Sequence, residues 1–286
     1  MRKNTNGDSS LLFIIALFTV WRDALFLSAQ VSPSLIPKFG DRFPYAAERL
    51  ANSGLTHFLW AFGNFDGVHY LGIANWAYSD QYTQAFFPLY PVLIRIVSHL
   101  TFGNFLISAL LISNLAFLAG LIIFKKLVTN FFDTKIALWS CVFLVTFPTS
   151  FYFGSVYTES IFFLLIISSF YLLSKNRVVE ASIIGAAASA TRLAGLFLAP
   201  SILFSTLKQK ILPILIIPLG FVAYVVFLKV KFDQPLYFLT SQQIFGNERS
   251  TESIILLPQV LYRYVKILLS TTGLLFTSAL LEVTAT

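Results

Sequence analysis

Three long stretches of this chain carry no charged residue at all: Asn104 to Phe124, Ile136 to Thr158 and Ile211 to Leu228. A helix crosses the hydrocarbon core of a bilayer in roughly 17 to 25 residues, and a helix satisfies its own backbone hydrogen bonds there. Composition agrees, with 57% hydrophobic and 12% charged residues against roughly 25% charged in soluble domains. A membrane β-barrel would show short segments of alternating polarity, and none are seen. The chain therefore reads as all-α, a polytopic integral membrane protein forming a single domain over residues 1–286. Its first residues resemble a signal peptide, basic and then apolar from Leu11 to Trp21. Arg22 and Asp23 interrupt that run and no small-x-small cleavage site follows, so a retained first helix over 10–32 is expected. Cys141 is the single cysteine, which excludes disulfides within the chain and cysteine-based zinc sites.

Charge orients the segments. Lys125, Lys126, Lys135, Lys175, Arg177, Lys208 and Lys210 fall in short connections, which the positive-inside rule places in the cytoplasm. The net charge of +7 is thus a topology signal, and no nucleic-acid partner is expected. Between Glu180 and Lys208 the only charge is Arg192. The chain must go out and return there, as two short helices, Val178–Ala190 and Leu193–Leu207, meeting at Arg192 on the outer side. The small residues of GAAASA suit close helix packing. Leu89 to Leu100 is too short to span and carries Arg95 and His99, so it is expected to lie on the outer face. The remaining spans are Asn104–Phe124, Ile136–Phe153, Glu159–Leu173 and Ile211–Leu228. The expected total is about eight membrane helices, with 33–103 a large first external loop containing interfacial helices and 104–286 the other membrane helices.

Polar residues then collect on one side. Gly63–Pro91, Phe147–Ser160 and Lys231–Ser250 are external clusters, joined by Arg192, whereas the cytoplasmic connections are plain. Ionisable groups at a membrane boundary are costly unless they serve a purpose, so a binding or catalytic site is expected there. A helix from Gly67 to Ala77 would take Asp66 as N-cap and set His69 and Tyr70 on the face of Asp66. A partly desolvated carboxylate is a better base than one in water and suits proton removal from an acceptor hydroxyl; a plain cap is the alternative. Arg192, with Lys231, suits a phosphate leaving group; the alternatives are a lipid-headgroup anchor or an ion pair with Glu159. Trp76, Phe86, Phe87 and Tyr90 suit interfacial anchoring or sugar stacking. No Gly-rich phosphate loop, Asp-x-Asp pair or His-x-x-x-His spacing occurs. His57, His69 and His99 are too scattered for a metal, so no metal ligand or cofactor is assigned, and a divalent ion bridging Asp66 and a phosphate stays open. The classes left are an enzyme, a lipid-linked saccharide transporter or flippase, and a non-catalytic assembly subunit. A transporter would place its polar sites near the midplane, often in paired repeats, and the one-sided polarity favours the enzyme.

Four blocks carry a resemblance: FDGVHYLGIANWAY with QAFFPLYP, FPTSFYFGSVYTES, ATRLAG and DQPLYFLTSQQIFG. In order and spacing they resemble the GPI mannosyltransferase 2 (PIG-V) family, from about Leu12 to Arg249. The resemblance implies a C-type membrane glycosyltransferase. Such an enzyme moves a sugar, usually mannose, from a polyprenyl-phosphate donor to a lipid or glycan acceptor on the non-cytoplasmic face, with inversion. It implies Asp66 as the catalytic carboxylate, with His69, Gln84, Tyr157, Glu159, Arg192 and Gln242 lining the site. The membrane would be the cell membrane in a prokaryote and the endoplasmic reticulum in a eukaryote. Two departures stand out: Phe65 replaces a tryptophan before the aspartate, and FGNER replaces a Trp-Gly-Arg group, displacing Arg249. Relatives also tend to continue through further helices, so for a chain ending at Thr286 the expectation is a C-terminal truncation or a reduced member.

Overall fold

The structure, a computed structural model, describes residues 5–35, 45–205, 212–242 and 256–285. Lys208, Lys210 and Arg249 lie outside the described residues, as does most of the connection after Gln242. Among the described residues every regular element is helical. They fall into two compact units, Met1–Ser241 and Gln242–Thr286.

In the first unit, α1 (Thr5–Leu35) runs further at both ends than the sequence suggested. Short helices α2 (Ala46–Arg49) and α3 (His57–Trp60) lead to α4 (Asp66–Trp76) and α5 (Leu89–Ser98). The centre is α6 (Phe105–Thr129), followed by α7 (Thr134–Thr146), α8 (Glu159–Ser174) and α9 (Val178–Ser189). Each start has a local cause. The Asn104 side chain accepts from Ile107 N at 3.0 Å to cap α6, and Asp133 accepts from Ile136 N at 2.8 Å to cap α7, each satisfying an otherwise orphaned helix-end donor. Gly120 lets α6 approach α8, because a Cβ there would meet the Phe163 ring at 2.7 Å.

The expected span Ile136–Phe153 needs correction. Its helix, α7, stops at Thr146, and the chain continues through Phe147, extended at ψ 136°, into a 3-10 turn over Ser150–Gly154. Pro148 explains the stop, since a proline forces the preceding residue out of helical conformation and donates no hydrogen bond. The expected continuous helix Ile211–Leu228 is likewise broken. A 3-10 turn over Leu212–Ile216 meets α11 (Leu219–Phe232) at Pro218, and α11 runs on past Leu228. After Arg192, a 3-10 turn over Leu193–Phe197 leads into α10 (Leu198–Ser205). By length and composition, Ser9–Leu35, Phe105–Thr129 and Leu212–Phe232 are long and apolar enough to cross a membrane, while α5, α7, α8 and α9 are shorter apolar helices.

Short connections make α6, α7, α8 and α9 alternate in direction, which sorts the charges. Lys125, Lys126, Lys135, Lys175 and Arg177 share one end of the bundle. There Lys125 Nζ donates to Ser10 Oγ at 3.1 Å, and Lys175 Nζ to Asn130 Oδ1 at 3.1 Å. The other end carries the turn after α7, Arg192 and the 45–103 segment. That segment is packed down on the bundle: Tyr90, fully buried on α5, shares a 2.7 Å hydrogen bond with Ser113 on α6. Leu89 N donates to Ala190 O at 3.2 Å, and Tyr224 on α11 donates to Gln84 O at 2.6 Å. α5 therefore has a buried face of Tyr90, Pro91, Ile94 and Ser98 and an opposite face with Val92, Arg95 and Ile96 exposed. The boundary between the units falls at the last residue of α12 (Tyr237–Gln242).

The second unit is a helical hairpin, α13 (Leu257–Ser270) and α14 (Leu274–Ala285). Gly273 turns the chain at φ 69°, and Tyr264 donates its hydroxyl to Glu282 Oε2 at 2.8 Å.

Candidate active site

Asp66 is the first residue of α4 rather than its N-cap, one position from the sequence expectation. The capping position is Phe65, at φ 57° and ψ −121°, and no side-chain cap bond is made there. A residue with a Cβ rarely adopts this backbone, and holding it costs on the order of 1–3 kcal/mol. Surroundings must enforce it, and they do. Gly67 lies against the segment before α8: an added Cβ would stand 3.3 Å from both Val156 Cβ and Val156 O. Val156 N donates to Phe62 O at 2.9 Å, and Tyr157 donates its hydroxyl to Asn64 O at 3.3 Å. Three contacts thus lock the segment from Phe62 to Gly67 onto GSVYTES. The second block is held in turn by Arg22 of α1, whose guanidinium donates to Gly154 O at 2.8 Å and lies against the rings of Phe26 and Phe62, at 4.1 and 4.3 Å.

The electrostatics show which groups face one another. Tyr157 has its phenol pushed up, by burial first and then by the Asp66 carboxylate, while the Asp66 backbone hydrogen-bonds to it. Tyr70, buried one turn along α4, is also pushed up, by burial and then Asp66; the Thr158 side chain bonds it, and Glu159 and Arg192 act more weakly. Arg192 Nη2 pairs with Glu159 Oε1 at 3.0 Å, with side-chain exposures of 42% and 24%. Of the readings open for Arg192, the ion pair is therefore formed, yet so much exposed guanidinium leaves donors for a further anion. The other Glu159 oxygen, Oε2, is buried with no hydrogen-bond partner among the described residues. Asp66, Tyr70, Tyr157, Thr158, Glu159 and Arg192 thus form one neighbourhood where α4, α8 and the end of α9 converge. An anionic helix-start residue is itself favoured by the exposed N–H groups of the first turn.

Four further residues, His69, Gln84, Lys231 and Gln242, were expected from the sequence to belong to the site. His69 is buried, stacked on Phe86 at 4.9 Å between centroids, with Tyr45 edge-on at 6.0 Å. Its pKa falls to about 4, through burial first and then the Arg49 charge, with Asp80 opposing, so it is neutral at pH 7. Gln84 is 2% exposed, and its Oε1 has no hydrogen-bond partner among the described residues. Lys231 is exposed on the last turn of α11 and joins none of the clustered groups among the described residues. Gln242 is the exposed last residue of α12 and falls in the second unit.

Sequence reading missed Arg49 and Asp80. Their ion pair, 2.5 Å between Nη2 and Oδ2, holds a guanidinium side chain only 5% exposed. Gly72 leaves room for it on α4, since a Cβ there would collide with the guanidinium. A cation and an anion in an apolar chain, with a mid-helix glycine between them in sequence, were the available signal. Thr158 was also missed, being a small polar residue with nothing unusual in its spacing.

A helical membrane protein with a carboxylate, a guanidinium and two phenols gathered at one end of its bundle is the class these features define. The model of the family described as Mannosyltransferase (PIG-V) matches residues 10–215, and the chain belongs to that family. GPI mannosyltransferase 2 of Drosophila pseudoobscura pseudoobscura is 30% identical over 138 residues, covering 44% of this chain and 29% of that protein. The match thus spans less than a third of the curated relative. No solved structure matches the chain.

Proposed function

We propose that this chain is a multi-pass membrane mannosyltransferase that takes mannose from a polyprenyl-phosphate donor and passes it, with inversion, to a hydroxyl of a lipid or glycan acceptor on the non-cytoplasmic face. The observation that carries the proposal is the convergence of Asp66 with Glu159 and Arg192 across three separate sequence blocks. In the reaction, the acceptor hydroxyl gives its proton to the Asp66 carboxylate as its oxygen bonds to the anomeric carbon. The bond from that carbon to the phosphate oxygen breaks, and the electron pair leaves with the lipid phosphate. Arg192, oriented by Glu159, meets the charge growing on the phosphate. Tyr70 and Tyr157 stay protonated near neutral pH, because burial and the carboxylate both raise them, so neither phenol adds a negative charge beside Asp66. The family match supports mannose as the sugar, and the basic end of the bundle, opposite Asp66 and Arg192, supports the sidedness through the positive-inside rule.

The test is transfer by the purified chain in lipid, supplied with radiolabelled mannose as a polyprenyl phosphate or as a nucleotide sugar, with a membrane glycolipid extract as acceptor. Label should move only from the lipid-linked donor, and the product should show the opposite anomeric configuration by NMR. Transfer from the nucleotide sugar alone, or retention of configuration, would overturn the proposal. Absence of transfer by folded chain would favour a non-catalytic subunit.

A further inference from the structure

A cavity of about 310 Å³ opens at the far end of α4 from Asp66, between that helix, α2 and the start of α6. Trp76 at its rim stands ten positions from Asp66 along α4, a rise of about 15 Å, so this is a different place from the reaction centre. Its polar lining includes Glu48, Arg49, Asn52, Asn75 and Asn104, with Trp76 at the edge.

The charge state of the wall narrows the ligand. The charge of Arg49 is already paired: it meets Asp80, donates to Val68 O at 2.9 Å, and lies over Tyr45 and Trp76 at 4.1 and 5.4 Å, leaving only its buried Nε without a hydrogen-bond partner among the described residues. Glu48 adds a carboxylate. The helix end of α6 is also committed, since Asn104 Oδ1 takes the Ile107 N–H. An incoming anion would face Glu48 with no unmatched cation to receive it. A hydrocarbon chain would strip water from several amides and a carboxylate without returning a hydrogen bond. What the wall does offer is amide donors and acceptors beside an indole that is 52% exposed. The indole is held firmly, because Ala77, just after it, is fixed at φ 56° and ψ −151°, a backbone that persists only where the surroundings impose it. Amides with a rigid aromatic edge suit a neutral polyhydroxyl ring, whose hydroxyls pair with the amides while its C–H face lies on the indole.

We propose that this pocket is a saccharide-binding subsite, separate from the Asp66 centre. It does not require the transfer reaction. If that reaction is as proposed, the subsite seats a sugar of the acceptor about one helix length from the reacting hydroxyl, and so selects acceptors by their glycan.

The experiment is binding of a neutral mannotriose to the full chain in nanodiscs, followed by saturation-transfer NMR and tryptophan fluorescence. Wild type and Asp66→Asn should bind saturably and alike. Trp76→Ala and Asn52→Ala should each weaken binding by about tenfold, and inorganic phosphate should not compete. Asn52 is exposed, so loss of binding in that variant is not loss of fold. No saturable binding to folded wild type, unchanged binding in both pocket variants, or displacement by phosphate would each overturn the proposal. A wild type that transfers mannose without binding mannotriose would sink the subsite alone; one that binds without transferring would sink only the transfer reading.

Discussion

Gly67 is where the structure makes the sharpest quantitative demand. It follows Asp66 directly, and its missing side chain is what lets the first turn of α4 rest on Val156. An alanine Cβ would sit 3.3 Å from Val156 O and from Val156 Cβ, the latter a few tenths of an ångström inside the comfortable carbon–carbon separation of roughly 3.5–4.0 Å. Against that cost stands the helix propensity gained on leaving glycine, up to about 1 kcal/mol. Gly67→Ala should therefore be close to neutral in stability and retain most of its activity. Valine adds two further methyl groups against the same backbone, an overpacking worth about 1–3 kcal/mol, and the helix start must move away from Val156. A shift of about 1 Å in a reacting group costs up to a hundredfold in rate, so Gly67→Val should lose transfer far out of proportion to stability, in kcat more than in KM. The assay is mannose transfer in nanodiscs beside thermal unfolding of the same samples. A folded Gly67→Val with the wild-type rate would refute the idea that this contact places Asp66.

Further outcomes follow from the same geometry. The Arg192–Glu159 pair is partly exposed, so Arg192→Ala should cost at most about 1 kcal/mol of stability while sharply lowering kcat, and Arg192→Lys should recover only part of it for want of a forked contact; equal rates in all three proteins would contradict this. His69 is neutral when folded, with its pKa lowered from 6.5 to about 4. The unfolded chain therefore takes up a proton first, and stability should fall as pH drops from about 6.5 to about 4 and level off below. In His69→Phe, which keeps a ring against Phe86, that slope should be reduced, as read by thermal unfolding across pH. Ala77→Gly removes a strained left-handed backbone and should raise the melting temperature through about 1 kcal/mol of relief; a lower melting temperature would show that the Ala77 methyl matters more than its φ.

Legibility in the sequence followed the range of the forces involved. The course of α6 was readable because one uncharged run leads from Asn104 to a lysine pair, but the helix continues through those lysines to Thr129. The Arg192 turn was readable because a lone charge between two basic connections admits few paths. The end of α7 was misread because hydrophobicity continues past Pro148 while the backbone cannot. The start of α4 was off by one because Asp66 is a good capping residue, and the capping position is held instead by Phe65 in a conformation that contacts with Val156 and Tyr157 impose. Arg49 and Asp80 stayed hidden because their pairing spans 31 positions and depends on a gap at Gly72. Charge topology put Asp66, Glu159 and Arg192 on one side, and the Arg192–Glu159 pair was among the readings it left open, but nothing local says that α4 and α8 begin side by side.

Asp66 carries the central claim, and replacing its carboxylate with the near-isosteric amide tests it most directly. Mannose transfer from a polyprenyl-phosphate donor should disappear in Asp66→Asn while its thermal unfolding and its donor binding match the wild type. Undiminished transfer by the folded variant would contradict the account.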